Sequence, residues 1–275
     1  MQKDSSEFRD TPLRLIQITD THLYRDPRAV LLGLNTQESF EKIVDLIAST
    51  RGSPDVIVGT GDIAQDASRE SYQRFASIVS RLDASVLLVF RVITITDKVM
   101  LSLTEYPHAF EPRLIFGNWQ ILMLDTSSPG NVHGVLSDDE LTRLQHHLAH
   151  LPTGVEHTMV CLHHNPVPGS ASWMSDIGLK SADALLAILK AHSRSVRAVV
   201  YGHIHQTLDF EHEGFRFFCT PSTCIQFKPH VEEFALDMLA PAYRWFDLYA
   251  DGRLETAVER LQDYVIKVDM NAGGY

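Results

Sequence analysis

A chain of 275 residues, 44% hydrophobic and 21% charged, can bury a substantial core and is not disordered by composition. Its net charge of −11, with acids and bases interspersed, argues against nucleic acid as the main partner, because counterion release needs clustered Lys and Arg. No apolar run reaches the ~18 residues of a membrane span, and the polar start MQKDSSEFRD lacks the apolar stretch of a secretion signal. A small anionic substrate stays open, since bound metal ions can reverse the local field. Cys161, Cys219 and Cys224 show no Cys-x-x-Cys spacing, so reduced packing thiols and a cytoplasmic location are expected.

LRLIQIT (13–19) reads as a buried strand ending in the polar turn Asp20-Thr21-His22. Asn35 can cap a helix to about Ser49, because Phe40, Ile43, Val44 and Ile47 fall on one face at helical spacing. DVIVGTGD (55–62) is a second strand, residues 67–82 a second helix, and SVLLV (85–89) begins a third strand. WQILMLDT (119–126) is another strand with an acidic end, and Ser137 with Glu140 makes a capping box for a helix to about His150. VEHTMVCLHHN (155–165) is a strand ending in histidines, 181–192 a helix, and VRAVVYGHIH (196–205) a strand ending in Gly-His-x-His. After residue 206 the pattern changes to shorter hairpin strands, with Asp251-Gly252 as one turn. No repeat or Pro/Gly/Ser-rich linker interrupts the chain, so one domain over 1–275 is expected. The class is α/β, with two packed sheets and helices outside.

Fourteen histidines stand out, and the informative pattern is where they fall. Four apolar strands each end in potential metal ligands: Asp20 and His22; Asp62; His163 beside His164; His203 and His205. Ligands of open α/β sheets gather beyond the carboxyl ends of the strands, so these can converge on one site. In Asp-x-His and His-x-His, two side chains lie on the same side of an extended segment, which suits one metal ion. A mixed carboxylate–imidazole set fits Mn, Fe, Co or Zn better than Ca or Mg alone. Each motif alone has an ordinary explanation: Gly61-Asp62 as a turn, Asp20 as a cap, His163 and His164 as loop residues. Four in order, each after an apolar strand, do not.

That order is similar to the calcineurin-like metallophosphoesterases. RLIQITDTHL, YGHIHQ and TPSTCIQFKP further resemble the bacterial class III 3′,5′-cyclic-AMP phosphodiesterases. The resemblance runs from about Leu13 to Leu261, leaving 262–275 as a C-terminal tail. It implies a four-layer α/β/β/α sandwich of two mixed sheets flanked by helices. It also implies two metal ions, iron and manganese or else zinc, cobalt or magnesium. Asp20, His22 and His205 would hold the first ion and His163 and His203 the second, with Asp62 bridging. Asp62 and His22 would then stand nearest the chemistry, and His22, Asp62 and His205 would touch the substrate phosphate. The implied reaction is hydrolysis of 3′,5′-cyclic AMP to 5′-AMP by a hydroxide between the metals. The expected partner is a small cyclic nucleotide, with neither nucleic acid nor membrane involved, for a monomer or homodimer. His164 points the other way along an extended chain and is read as supporting the site rather than binding metal. The segment PVPGSASWMSDIGL (166–179), with Trp173 and Met174, could equally close over the adenine, act as a structural lid or form a dimer contact. Two other readings stay open: a calcineurin-like hydrolase of different ester range, and a metal-poor scaffold on the same fold.

One family motif is missing. Gly-Asn-His-Asp or -Glu should follow the third strand, its Asn binding the second metal and its His standing near the leaving oxygen. The chain carries Phe90-Arg91-Val92-Ile93-Thr94 there instead, and the Gly-Asn at 117–118 sits in a hairpin too late. Codons for Phe-Arg-Val-Ile-Thr-Ile can be read two bases on as Pro-Gly-Asn-His-Asp, so a pair of compensating frameshifts across about 90–97 accounts for the gap. If the polypeptide carries FRVIT, loss of an acid or charge stabiliser is expected to cost ~10²–10⁴-fold in rate. The check is the tryptic peptide between Arg91 and Lys98. Finding VITITDK fixes the chain as written and predicts feeble catalysis; a peptide with Pro-Gly-Asn-His-Asp restores the motif.

Overall fold

The computed structural model describes residues 11–90, 106, 108–169 and 171–269. Within each strand, alternation sends side chains to two different layers. Leu13 and Leu15 pack between two sheets with Val56, Val58, Met159 and Cys161. Their neighbours Ile16 and Ile18 turn outward to Phe40, Ile43 and Phe75 of the first two helices, Thr36–Thr50 and Arg69–Val79. On the other side, Val160 and Leu162 meet Leu144 and Leu148 of the helix Asp138–Ala149 and Leu185 of Ala182–Ala191. The layers therefore run helix, sheet, sheet, helix, as the resemblance implies.

Both sheets are mixed. One has five strands in the order Leu254–Arg260, Ala242–Leu248, Leu13–Ile18, Val56–Gly59, Val86–Val89. Its last three are mutually parallel, and the two C-terminal strands join antiparallel. The other has six, in the order Leu208–His212, Phe215–Cys219, Val196–Tyr201, His157–Cys161, Trp119–Met123, Arg113–Phe116.

Most expected elements lie within a few residues of their sequence positions, and the differences have local causes. Asn35 caps its helix through a 2.8 Å bond from the Glu38 amide. Ser137 likewise accepts from the Glu140 amide at 3.2 Å, but Glu140 does not complete a capping box. Its carboxylate accepts from the Asp125 amide at 2.7 Å and pairs with Arg143, tying the helix to the loop that follows Trp119–Met123. The strands expected to run to Thr126, Asn165 and His205 stop at Met123, Cys161 and Tyr201. Past those points the chain leaves the sheet to aim polar side chains. Tail residues pack back on the fold, with Asp269 N–H bonded to Leu32 O at 2.7 Å and Lys42 over the Tyr264 ring. Among the described residues, no helix is long and apolar enough to cross a membrane.

The layer between the sheets is largely apolar, with a polar knot at its end beneath the histidines. There Gln17, fully buried, donates to Thr60 Oγ1 at 2.9 Å and Tyr201 O at 3.2 Å, and accepts from Thr220 Oγ1 at 2.6 Å. One side chain thus joins strand ends of both sheets. Gln17→Leu leaves these groups unpaired and is expected to cost ~1–3 kcal/mol, read as a lower urea midpoint. An unchanged midpoint would show that the network does not tie the sheets.

Candidate metal centre

Five of the expected ligands sit just past strand ends in left-handed backbone: Asp20 (φ 53°), His22 (46°), Asp62 (44°), His203 (68°) and His205 (47°). Asp and His are among the residues that tolerate this region, but each such position still costs ~1–3 kcal/mol unless its surroundings enforce it. The turns enforce one another. Asp20 N–H bonds Gly61 O at 3.1 Å, His22 N–H bonds Asp62 O at 2.8 Å, and Ser222 Oγ donates to Asp20 O at 2.7 Å. Gly61 and Gly202 permit the close packing: a Cβ at the first would overlap the His163 ring, and one at the second would overlap Thr19 and the Asp20 carboxylate.

All six expected ligands meet. Asp20, His22 and His205 form one group whose ligand atoms lie within 4.8 Å of one another, Asp20, Asp62 and His163 form another, and His163, His164 and His203 a third. Asp62 Oδ2 is 3.4 Å from His163 Nε2 and 3.9 Å from His22 Nε2, so it reaches both sides. Asp20 Oδ2 accepts from Thr19 Oγ1 at 2.7 Å and from the His203 amide at 3.1 Å; Oδ1 stands 3.4 Å from His205 Nε2.

The ring tautomers follow from their outer partners. His22 Nδ1 faces Gln65 Oε1, His163 Nδ1 faces Thr60 O at 2.8 Å, and His205 Nδ1 faces Ile225 O at 2.9 Å. In His203 it is Nε2 that faces Ile177 O, at 3.0 Å. Each acceptor takes the ring's N–H and leaves a lone pair on the other nitrogen. Those lone pairs confront one another: His22 Nε2 and His205 Nε2 at 3.3 Å, His203 Nδ1 and His163 Nε2 at 3.2 Å. Two neutral acceptors at that distance repel unless a cation or proton lies between them. The donor set therefore fits two metal ions, and the residues that aim it (Thr60, Gln65, Ile177, Ile225) were not foreseen from sequence. Three of the four contribute main-chain carbonyls, which leave no trace in a residue pattern; only Gln65, close after Gly61-Asp62, offers a side chain.

The electrostatics agree. Burial opposes ionisation of Asp62, but His163 in contact outweighs it and holds the carboxyl well below the usual range. Burial likewise disfavours charge on His163, yet Asp62 beside it raises that histidine to about 9. Burial, with the His163 charge adding to it, drops His203 to about 4. His164 lies near His163 and His203, with ring centroids at 4.8 and 4.5 Å. Its ring is committed elsewhere, Nδ1 to Thr126 Oγ1 at 2.7 Å and the imidazole also to the Val132 backbone, so it braces the 126–132 loop.

The site opens into a cleft of about 660 Å³ whose floor includes His22, Asp62, His163 and His203. Phe90, 6% exposed, lines it; the FRVIT residues 91–94 lie outside the described residues.

A model of calcineurin-like phosphoesterases matches residues 13–207. The chain belongs to that family. It is 39% identical over 266 residues to the 3′,5′-cyclic adenosine monophosphate phosphodiesterase CpdA of Pseudomonas aeruginosa, covering 97% of this chain and 96% of that one. The corresponding protein of Escherichia coli K12 is also 39% identical, over 96% of this chain and 95% of its own. Among solved structures, a dimetal phosphatase from Danio rerio superposes with a TM-score of 0.58 at 16% identity, over 91% of this chain and 99% of that one. The last likeness shows the shared fold alone.

Ligand histidines must be neutral to bind metal, and His163 near 9 is protonated in the metal-free chain at pH 7.5. Metal loading at that pH is therefore expected to release about one proton from His163. Calorimetric titration with Mn²⁺ in two buffers of different ionisation enthalpy measures it; a heat independent of buffer would contradict the Asp62–His163 coupling.

Proposed function

We propose that this chain is a metal-dependent phosphodiesterase that hydrolyses 3′,5′-cyclic AMP to 5′-AMP. The observation that carries the reading is the pair of confronted imidazole lone pairs, with Asp62 reaching both, on the floor of a cleft large enough for a nucleotide. Relatives of nearly the same length that bear the name of this activity supply the substrate class.

In this reading Asp20, His22 and His205 would hold one ion and His163 and His203 the other, with Asp62 available to both. When bound, the ions supply a nucleophile from water at neutral pH and neutralise charge on the phosphoryl oxygens. The protein fixes where that chemistry happens. Gln65, Thr60, Ile177 and Ile225 hold each imidazole in one tautomer, so its lone pair is directed before any ion arrives. Asp62, its side chain 46% exposed, is the most open of the candidate ligands that line the cleft and would stand beside the scissile phosphate, with His22 next to it and His205 behind His22. Iron and manganese suit the mixed oxygen–nitrogen donors, with zinc or cobalt next. One domain, reduced and buried Cys161, Cys219 and Cys224, and action in the cytoplasm complete the proposal.

A second reading keeps the metal site but not the rate. Residues 90–94 carry FRVIT where the family's Asn and His belong, which supports a chain that binds metal and turns over slowly.

The test is hydrolysis of 3′,5′-cyclic AMP set against 5′-AMP and an aryl phosphate, before and after chelation. Cyclic AMP should be preferred, activity should vanish with chelator and return with Mn²⁺ or Fe²⁺, and Asp62→Asn should lose at least about 10²-fold, since it withdraws several kcal/mol of charge stabilisation. Preference for a monoester would remove the diesterase assignment. Two metal equivalents with negligible turnover of any ester would favour the second reading.

A further inference from the structure

Beside the histidines, one wall of the cleft is aromatic. Trp173, Phe227 and Phe234 line it, with every pair of ring centroids 5.4 Å apart and interplanar angles of 73°, 65° and 66°. Phe227 also lies flat against His205, at 4.1 Å and 6°, so the wall begins at the metal centre itself. Trp173 and Phe234 are half-buried, and their segments are fastened together: Ser172 N–H bonds Val231 O at 3.3 Å and Ser172 Oγ donates to Glu232 O at 3.0 Å. Met174, fully buried, anchors the turn that carries Trp173.

The cleft also holds unspent hydrogen-bonding capacity. Trp173 Nε1 and Ser127 Oγ are buried atoms with no hydrogen-bond partner, and both residues line the cleft. Neither atom is open to solvent, so each side chain would turn before its polar atom met a ligand. A phosphate has no use for an aromatic wall, whereas a flat base with polar edges can use both features.

We infer that Trp173, Phe227 and Phe234 form the nucleobase platform of this site. The base of a cyclic nucleotide stacks on the Trp173 ring, with Phe234 edge-on beside it and Phe227 supporting the wall from the His205 side. The platform rests on the phosphodiesterase reading for its substrate and assigns the part of the cleft that selects nucleotides over simpler phosphate esters.

Trp173→Ala and Phe234→Ala test it; Phe227 is avoided because it touches His205. KM is measured for 3′,5′-cyclic AMP and for the methyl riboside 3′,5′-cyclic phosphate, which lacks the base. Each variant should raise KM for cyclic AMP by about 5- to 100-fold, the effect of losing one base-stacking partner, and leave the base-less ester unchanged. Trp173→Phe should recover most of the loss. Equal changes for both esters overturn the platform while leaving the diesterase reading intact. A second readout does not need turnover: calorimetric binding of 5′-AMP against ribose 5-phosphate. Wild-type protein that hydrolyses nothing, prefers 5′-AMP, and loses that preference in Trp173→Ala keeps the platform and removes the diesterase reading. No preference for 5′-AMP in wild type overturns the platform.

Discussion

In the neutral rings, two pairs of imidazole nitrogens, each a lone-pair acceptor, face one another across 3.2–3.3 Å, and the rest of the centre is arranged to hold them there. Neutral acceptors do not choose such a position unaided. Outer carbonyls and Gln65 take the opposite N–H of each ring, so no ring can flip to relieve the contact without abandoning a buried partner. Without metal, Asp62 outweighs burial and holds a proton on His163, while burial, with the His163 charge adding to it, pushes the neighbouring His203 down. A divalent ion in the same place satisfies several lone pairs at once.

Holding that geometry is expensive locally, and the fold supplies the restraint. Five candidate ligand residues in left-handed backbone would relax if the turns were alone. They are not, because turns from both sheets interlock through Asp20, Gly61, Asp62 and Ser222, over the polar knot at Gln17. The glycines at 61 and 202 are necessary for a plain reason: the space a Cβ would occupy is taken by His163 in one case and by Thr19 and Asp20 in the other. Strain at the site is thus carried by three layers of apolar packing that have no role in chemistry.

The cleft above divides its work by polarity. Charged and imidazole groups occupy the floor, where a phosphate ester would lie, and aromatic rings occupy the wall beside His205. His164, unable to spare its ring, braces the loop that carries Ser127 on the facing side. The segment 166–179 is tied in rather than loosely draped, since Ile177 O fixes His203 and Met174 is fully buried. Among the described residues, Phe90 presents a buried hydrophobic side chain to this largely polar floor.

The sequence by itself determined the α/β class, the two-sheet layering and the identity of the clustered acids and histidines. Those rest on short-range rules: alternation sorts Leu15 from Ile16, and ligands follow the strands that end in them. It also determined the puzzle at 90–94, which no amount of folding removes. Only the tertiary structure decided which nitrogen of each histidine faces the centre, because that depends on acceptors 20 to 103 positions away in the chain. It likewise decided that Glu140 ties a loop instead of completing its cap. And it alone brought Trp173, Phe227 and Phe234 onto one wall, since contact among distant apolar residues is set by packing and not by their spacing along the chain.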